Sequence, residues 1–319
     1  MPKILRKQDG VPGAEYIGRW NNVSKINVFD ITDANGLNAM IGIAKHRNSD
    51  GTVLYRGQCR LYEHLVPSIM HDMITFSKNL IALQDSLEKM YEDKSLTEYC
   101  NWGNTVSGWK LYIKTTYEAA LQHYGAKTRS VDFVDNHWTA LWFALNEYKS
   151  GMYRKRKITE VPAVEERWIT YADPKRKDDV NQYGYIFLYF ADTSVPEVNG
   201  LYLGKDAYTV DLRKALPPTF LRPVSQHGWV VRKRDVRMDM LDVLEGKSNT
   251  SDQHIFDKDV VGILRIRIDL IDSMLGDGIL LSQENFFPGT DYDKGYKKLV
   301  DLQGSILPLN MLETYHTKA

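Results

Sequence analysis

The chain has 319 residues, of which 43% are hydrophobic and 26% are charged. These fractions are ordinary for a soluble globular protein, and the length suits one large domain or two modest ones. Lysine plus arginine and aspartate plus glutamate both total 41, so no overall field attracts nucleic acid or an anionic membrane. Binding of that kind would depend on a local patch of charge.

Membrane, secretory and metal-binding classes find little support in the sequence. The longest strongly apolar run, residues 183–191, is less than half of the ~20 residues needed to cross a bilayer, and the N-terminus has no hydrophobic signal-peptide region. Cys59 and Cys100 are too few for a disulfide framework or a structural zinc site. We therefore expect a cytoplasmic protein with no metal and no membrane partner.

The N-terminal part combines short β-like runs with turn sequences. Runs at 26–31, 40–44 and 53–55 are interrupted by Asp-Ala-Asn-Gly and Asn-Ser-Asp-Gly, which are typical of turns. We expect a β-rich extension over residues 1–50. Helical patterning then dominates from about residue 72 to residue 148.

A polar cluster interrupts this helical region between Leu121 and Ala144. Apolar residues at three- and four-residue spacing predict a helix from 109 to 124 that ends at Gly125. The alternation over 130–134 predicts a short strand, and Asp135 or Asn136 is a plausible N-cap for the next helix. So many polar side chains in one short connection indicate a functional site. They are His123, Thr128, Arg129 and Asp132.

The second half of the chain reads mainly as strands. A charged segment is predicted to form an exposed excursion at about 150–182, and strands are expected at 184–190, 207–210, 229–231 and 260–268, with a weak helix at 294–302. Strands, then helices, then strands favour the α+β class, with a mixed or antiparallel sheet core and a helical insertion. We expect one domain over 51–305 and a tail over 306–319.

The run Tyr55-Arg56-Gly57 ends one of the predicted strands. Arginine offers a planar fork of donors suited to phosphate, and glycine lets a backbone pass close to a ligand. Taken alone, a salt-bridged arginine and a turn glycine are the better interpretation.

Several further motifs follow Tyr55-Arg56-Gly57 in an ordered series. With these motifs in this order, the chain resembles the FRG domain family over about residues 50 to 300. The family is named for its Phe/Tyr-Arg-Gly signature. The motifs that carry the resemblance are Tyr55-Arg56-Gly57-Gln58, Leu65-Val66-Pro67-Ser68, Leu121-Gln122-His123-Tyr124-Gly125, Thr128-Arg129, Asp132-Phe133, the run 139–144, Arg222-Pro223, Gln226-His227-Gly228 and Phe287-Pro288-Gly289.

The same arrangement is similar, more distantly, to ADP-ribosyltransferases of the Arg-Ser-Glu type. That resemblance implies their fold, with Arg56-Gly57, the segment 130–144 and a late strand over 226–231 as its three elements. It also implies that NAD is the substrate. The implied enzyme is an ADP-ribosyltransferase, which is a kind of glycosyltransferase, or an NAD glycohydrolase. The implied NAD-binding residues are Tyr55, Arg56, Gly57, Thr128, Arg129 and Ser130, and the implied catalytic residues are Arg56, His123, Asp132 and Gln226.

The chain departs from that pattern at the acid of the late strand. These transferases place a glutamate where this chain has the neutral Gln226, so Asp132 or Glu284 would have to stabilise the sugar cation. The resemblance further implies a macromolecular acceptor, which is RNA, DNA or protein. By analogy it suggests a toxin or effector of a bacterial toxin–antitoxin or antiviral defence system, with an antitoxin as inhibitory partner.

Other interpretations of the same residues remain open. The main rival is a non-catalytic module that binds or senses a nucleotide or nucleic acid. His123 could simply hydrogen-bond Asp132, and Asp132 could form a buried ion pair with Arg129. The basic runs 154–157, 175–177 and 232–234 could contact phosphates, although a solvated loop is the simpler interpretation.

Overall fold

A computed structural model describes residues 2–21, 25–71, 74–100, 110–158, 168–172, 182–234, 255–308 and 311–312. The chain divides into two compact units, and each unit takes three separate segments of the chain. Unit 1 consists of Met1–Leu65, Val134–Ala191 and Phe256–Gln283, and unit 2 consists of Val66–Phe133, Asp192–Ile255 and Glu284–Ala319. Each unit buries an apolar core of its own.

Strands and helices both contribute heavily, so the predicted α+β class is confirmed. The described strands are β1 (Ala14–Trp20), β2 (Asn27–Ile31), β3 (Thr52–Gln58), β4 (Ser130–Val134), β5 (Asn146–Lys149), β6 (Met152–Lys155), β7 (Ile169–Tyr171), β8 (Tyr183–Ala191), β9 (Pro196–Val198), β10 (Leu201–Leu203), β11 (Ala207–Asp211), β12 (Gly228–Lys233) and β13 (Val260–Arg267). The described α-helices are α1 (Ala34–Arg47), α2 (Phe76–Glu92), α3 (Lys94–Tyr99), α4 (Lys110–His123), α5 (His137–Leu145), α6 (Leu212–Ala215), α7 (Leu221–Gln226), α8 (Ile268–Leu275), α9 (Gln283–Phe286) and α10 (Lys294–Leu302).

In unit 1, six strands form a sheet in the order β7-β1-β2-β13-β8-β3. Neighbouring strands are antiparallel except β2 and β13, which are parallel. All nine residues of β8 are buried, which is typical of an apolar central strand covered on both faces. The strands β5 and β6 form a separate hairpin. The sheet is therefore mixed and mostly antiparallel, as predicted.

Helix α5 packs closely on β3 and β8 because both strands carry a glycine beneath it. A Cβ added to Gly57 would lie 1.8 Å from the carbonyl oxygen of Ala140, and one added to Gly184 would lie 2.7 Å from that of Ala144. Neither contact leaves room for a side chain. The glycine of the Tyr-Arg-Gly motif thus gives space to a helix backbone, whereas the sequence suggested that it gives space to a ligand.

In unit 2, the strands lie in the order β4-β12-β11-β10-β9, and β9 to β12 pair antiparallel. Helix α4 packs against α2, β11 and β12, and all of its residues from 115 to 121 are buried. The core of this unit combines the apolar residues of α4 with those of α2, β11 and α10. The polar end of α4 is therefore fixed on a rigid support.

Two predicted strand positions are wrong. Residues 40–44 belong to α1, where Leu37, Met40, Ile41 and Ala44 are buried at helical spacing and Asp33 caps the helix by accepting from the Gly36 N–H. Gln226 does not start the late strand but ends helix α7, and β12 begins at Gly228.

The aromatic side chains of unit 1 differ in exposure. Trp138, in the first turn of α5, is exposed, whereas the tyrosines of β8 are buried. The basic run 175–177 and much of the predicted excursion at 150–182 lie outside the described residues.

Candidate functional site

The connection from α4 to α5 has the predicted helix, strand and helix. Helix α4 ends at His123, and Gly125 follows with φ 94°, a left-handed conformation that favours glycine. Strand β4 occupies the predicted residues 130–134. Asn136 then caps α5, because its side chain accepts a hydrogen bond of 2.9 Å from the Trp138 N–H.

Gln122 is the centre of a hydrogen-bond network in unit 2. Its side-chain oxygen accepts from the hydroxyls of Thr128 and Ser68, and its amide nitrogen donates to Asp132 Oδ2 at 2.5 Å. The Ser68 hydroxyl accepts from the Thr128 N–H at 3.1 Å, and the Thr128 hydroxyl accepts from the Ser130 N–H at 3.1 Å. The network fixes the start of β4 against the end of α4.

His123 and Asp132 face each other at the rim of this network. His123 Nδ1 lies 3.4 Å from Asp132 Oδ1, so the hydrogen bond foreseen between them is confirmed. The His123 side chain is only 3% exposed, whereas that of Asp132 is 31% exposed. Asp132 is therefore a carboxylate that is held from behind by Gln122 and His123 and still reaches solvent.

The His123 ring also lies directly beside Gly228. A Cβ at that glycine would lie 2.6 Å from the ring carbon Cε1, so only glycine fits. Within the described part of the chain, the buried Nε2 of His123 has no hydrogen-bond partner. A buried nitrogen in this state can form a hydrogen bond when a ligand or water reaches it.

Arg129 forms its ion pair with Glu118. The alternative in which Arg129 pairs with Asp132 is therefore wrong. The Arg129 N–H and Nε donate to Glu118 Oε1 at 3.0 and 3.1 Å, and its Nη2 donates to Oε2 at 2.5 Å. Arg232 Nη1 lies 3.4 Å from the same Oε2. Burial raises the pKa of Glu118, but the charges of Arg232 and Arg129 outweigh burial and hold this pKa below its usual value.

Arg222 serves a packing role that its charge did not suggest. Its side chain is completely buried, and its guanidinium carbon lies 4.4 Å from the Tyr124 ring centroid and 4.8 Å from that of Tyr296. Asp293 accepts from the Arg222 N–H at 3.1 Å and from the Tyr124 hydroxyl at 2.6 Å. This cluster joins α4, α7 and α10.

Gln226 is likewise buried, with 4% of its surface exposed. Its side-chain amide donates to the carbonyl oxygen of Phe286 at 2.6 Å. The amide thereby links α7 to the last residue of α9.

The predicted residues Tyr55, Arg56 and Gly57 lie on β3 in unit 1. Tyr55 is fully buried, and burial raises the pKa of its hydroxyl. Its ring centroid lies 6.3 Å from that of His137 and 5.5 Å from the ammonium of Lys45. Arg56 is half-buried.

Cys59 follows the same strand and is a poor nucleophile. Its thiol lies 3.4 Å from the carbonyl oxygen of Phe143 and 3.2 Å from that of Asn146. Burial raises the pKa of this thiol to about 11, so almost no thiolate exists at neutral pH.

Two residues of the network were not among the predicted site residues. Ser68 and Gln122 stand inside the motifs quoted above, and their positions there were the available signal. Among the described residues, no group of three or more histidine, cysteine, aspartate or glutamate side chains could hold a metal ion.

In a comparison with protein families, the FRG domain matches residues 51–152. The match includes Tyr55-Arg56-Gly57, the Gln122 network from β4 to α4, and α5. The resemblance to that family is therefore confirmed over residues 51–152, which is part of the range of about 50 to 300 over which it was expected. No curated protein and no solved structure matches the chain. No helix in the described ranges is long and apolar enough to span a bilayer.

Proposed function

We propose that this chain binds NAD, releases nicotinamide and transfers ADP-ribose to a macromolecular acceptor. In this reaction the bond between the ribose C1′ and the nicotinamide nitrogen breaks, and its electron pair leaves with nicotinamide. The acceptor's nucleophile then bonds to C1′ and loses its proton. Positive charge develops on the ribose in the transition state, so a fixed carboxylate beside it lowers the barrier.

The observation that carries the proposal is the position of Asp132. Strand β12, whose counterpart in the transferases bears the catalytic glutamate, has no acidic residue here. In unit 2 the carboxylates of Glu118, Asp211 and Asp293 are all completely buried and engaged in polar contacts. Asp132 combines a fixed orientation with exposure to solvent.

The other residues receive roles that follow from their contacts. His123, Gln122, Thr128 and Ser130 are proposed as positioning residues that hold Asp132 and β4. An activity of this kind would suit a toxin or effector held in check by an antitoxin, a role supported by the family resemblance alone.

The test measures nicotinamide release from NAD by the purified protein, with and without cellular RNA, DNA or protein as acceptor. We expect Asp132→Asn to lower turnover by about 10²- to 10³-fold, as loss of one electrostatic stabiliser does in other enzymes. The thermal shift induced by NAD should be unchanged, because the amide keeps the shape of the side chain.

Glu284→Gln is the matched control, since it also converts a carboxylate to an amide, at an exposed position of α9. This variant should keep full turnover. Loss of activity in Glu284→Gln alone would reassign the carboxylate to Glu284. Binding of NAD with no nicotinamide release under any acceptor condition would favour the non-catalytic sensing module.

A further inference from the structure

A cleft of about 610 Å³ lies in unit 1 beside the N-terminal segment of residues 2–8. The segment forms one wall, and β1, the start of β2 and the end of α1 supply the rest. Of the twelve lining residues that the structure describes, half are basic and none is acidic. The basic residues are Lys3, Arg6, Lys7, Arg19, Lys25 and Arg47.

The wall formed by residues 2–8 is anchored to the unit by hydrogen bonds. The Leu5 N–H donates to the carbonyl of Val261 at 2.7 Å, and the Leu5 carbonyl accepts from the side chain of Asn27 at 2.7 Å. The Lys3 N–H donates to the side-chain oxygen of Asn48 at 2.7 Å. Leu5 itself is completely buried. The cleft is therefore formed before any ligand arrives, which lowers the entropic cost of binding.

The positive charge of the cleft is largely unneutralised. Arg47 pairs with Asp9, and the Lys7 ammonium lies 5.4 Å from the centroid of the Tyr16 ring. In the part of the chain that the structure describes, no carboxylate pairs with the four remaining basic side chains, which are Lys3, Arg6, Arg19 and Lys25. Because the whole chain has no net charge, this surface is a strong local departure from the average.

The exposure of these cations indicates the kind of ligand that would bind. A small anion is usually held by a few buried, convergent polar groups, whereas Lys3, Arg6, Arg19 and Lys25 are all exposed. Exposed charges each contribute little to binding a single anion in water. Against a polyanion their contributions add, since each neutralised phosphate releases a condensed counterion.

We propose that this cleft binds the phosphate backbone of a nucleic-acid strand. Tyr16 is the one aromatic residue among the described lining residues, so we expect base stacking to contribute little and binding to be independent of sequence. The site does not depend on NAD turnover. If the chain does modify nucleic acid, the cleft would supply affinity for that acceptor.

The test uses fluorescence anisotropy of a labelled single-stranded oligonucleotide of about 20 nucleotides, over a range of salt concentrations. The variant replaces three cleft cations, Arg6→Gln, Arg19→Gln and Lys25→Gln. Removing three phosphate contacts should weaken binding on the order of a hundredfold at 0.1 M salt and reduce the slope of log Kd against log salt by about 2.

The matched control removes three exposed lysines elsewhere, with Lys78→Gln, Lys94→Gln and Lys258→Gln. It carries the same net charge as the cleft variant and should bind with an affinity close to that of the unaltered protein. Thermal unfolding of both variants checks that they fold.

Two results would overturn the proposal. In the first, the cleft variant and the control variant bind with the same Kd and the same salt dependence. In the second, ATP or inorganic triphosphate binds in a manner that depends on the three cleft residues while the oligonucleotide does not. That second result would make the cleft a site for a small phosphate compound. Since nicotinamide release is not measured, failure here is separate from failure of the NAD proposal.

Discussion

Glu118 is the residue on which the polar interior of unit 2 depends most. Its carboxylate is completely buried and faces the guanidinium groups of Arg129 and Arg232. Taking these charges out of water costs several kcal/mol, which the mutual attraction and the hydrogen bonds offset only while all partners are present. Removing one partner of this buried cluster should therefore lower the free energy of unfolding far more than removing one partner of an exposed ion pair.

We expect Glu118→Gln to lower the free energy of unfolding by about 3–5 kcal/mol, because it removes the counter-charge of the buried Arg129 guanidinium. Glu88→Gln is the control, since Glu88 is exposed and also contacts two cations, Lys110 and Lys114. It should cost at most about 1 kcal/mol. Urea unfolding at neutral pH measures both, and equal losses would contradict the assigned role of Glu118.

The pH dependence of stability gives a second readout of the same carboxylate. Its pKa is lower in the folded protein than in the unfolded chain, so its stabilisation is fully present above the ordinary glutamate pKa of about 4.3. That stabilisation is lost as the pH falls through the folded pKa. Glu118→Gln should therefore lose less stability on acidification than the unaltered protein.

At the scale of residues, proximity in sequence was a poor guide to pairing. Asp132 is three positions from Arg129, yet the partner of Arg129 is Glu118, eleven positions earlier on α4. Choosing between the two carboxylates requires the direction in which each side chain points, which the alternation along β4 did not reveal. The hydrogen bond between His123 and Asp132 was foreseen because both residues lie beside one short turn.

At the scale of elements, the contact of α5 with β3 and β8 depends on two glycines, which have no side chain. Gly57 and Gly184 let the helix backbone approach the strands to within ordinary contact distance. Such close packing brings the first strand of the FRG match, β3, against the last helix of the match, α5. The Tyr-Arg-Gly signature is in this respect an architectural motif.

Gly57→Ala should destabilise the protein by roughly 2 kcal/mol or more, since the new methyl group meets the Ala140 carbonyl and α5 must move away. Gly42→Ala is the matched control, because that glycine is inside α1 and a Cβ there meets nothing within 4 Å. This control should be stabilising by up to about 1 kcal/mol. Urea unfolding of the two variants is the measurement, and a neutral Gly57→Ala would refute the packing role.

The elements themselves were predictable where periodicity and caps agreed. Helix α4, strand β4 and helix α5 follow the pattern of apolar residues, and Gly125 and Asn136 mark the boundaries. The strand predicted at residues 40–44 is wrong because a short apolar run has no distinctive period. With Leu37 included, the run has the spacing of a helix. Pro223 is compatible with α7 because it lies in the first turn, where its missing N–H costs nothing.

At the scale of the whole molecule, each unit has one cysteine. Cys59 lies in unit 1 and Cys100 in unit 2, and both are free thiols. Burial raises the pKa of Cys59 to about 11 and that of Cys100 to about 12. Because the folded state disfavours both thiolates, this contribution to stability is intact below the unfolded pKa of about 8.5 and is lost as the pH rises towards 11.

Alkylation by iodoacetamide at about pH 8 should therefore be at least 100-fold slower in the native protein than in urea, since about 0.1% or less of either thiol is ionised. Mass spectrometry of the two cysteine peptides across a urea series would report the unfolding of each unit separately. Labelling of native Cys59 within minutes would contradict the burial of that thiol.

The alternation of the chain between the two units has a consequence for its biosynthesis. The strand partner of β3 in unit 1 is β8, and the parallel partner of β2 is β13, which begins at Val260. Neither partner is present in the stretch 51–152 that defines the FRG match. Unit 1 cannot close its sheet until β13 has been synthesised, so β2 and β3 remain without these strand partners while the intervening segments of both units emerge from the ribosome.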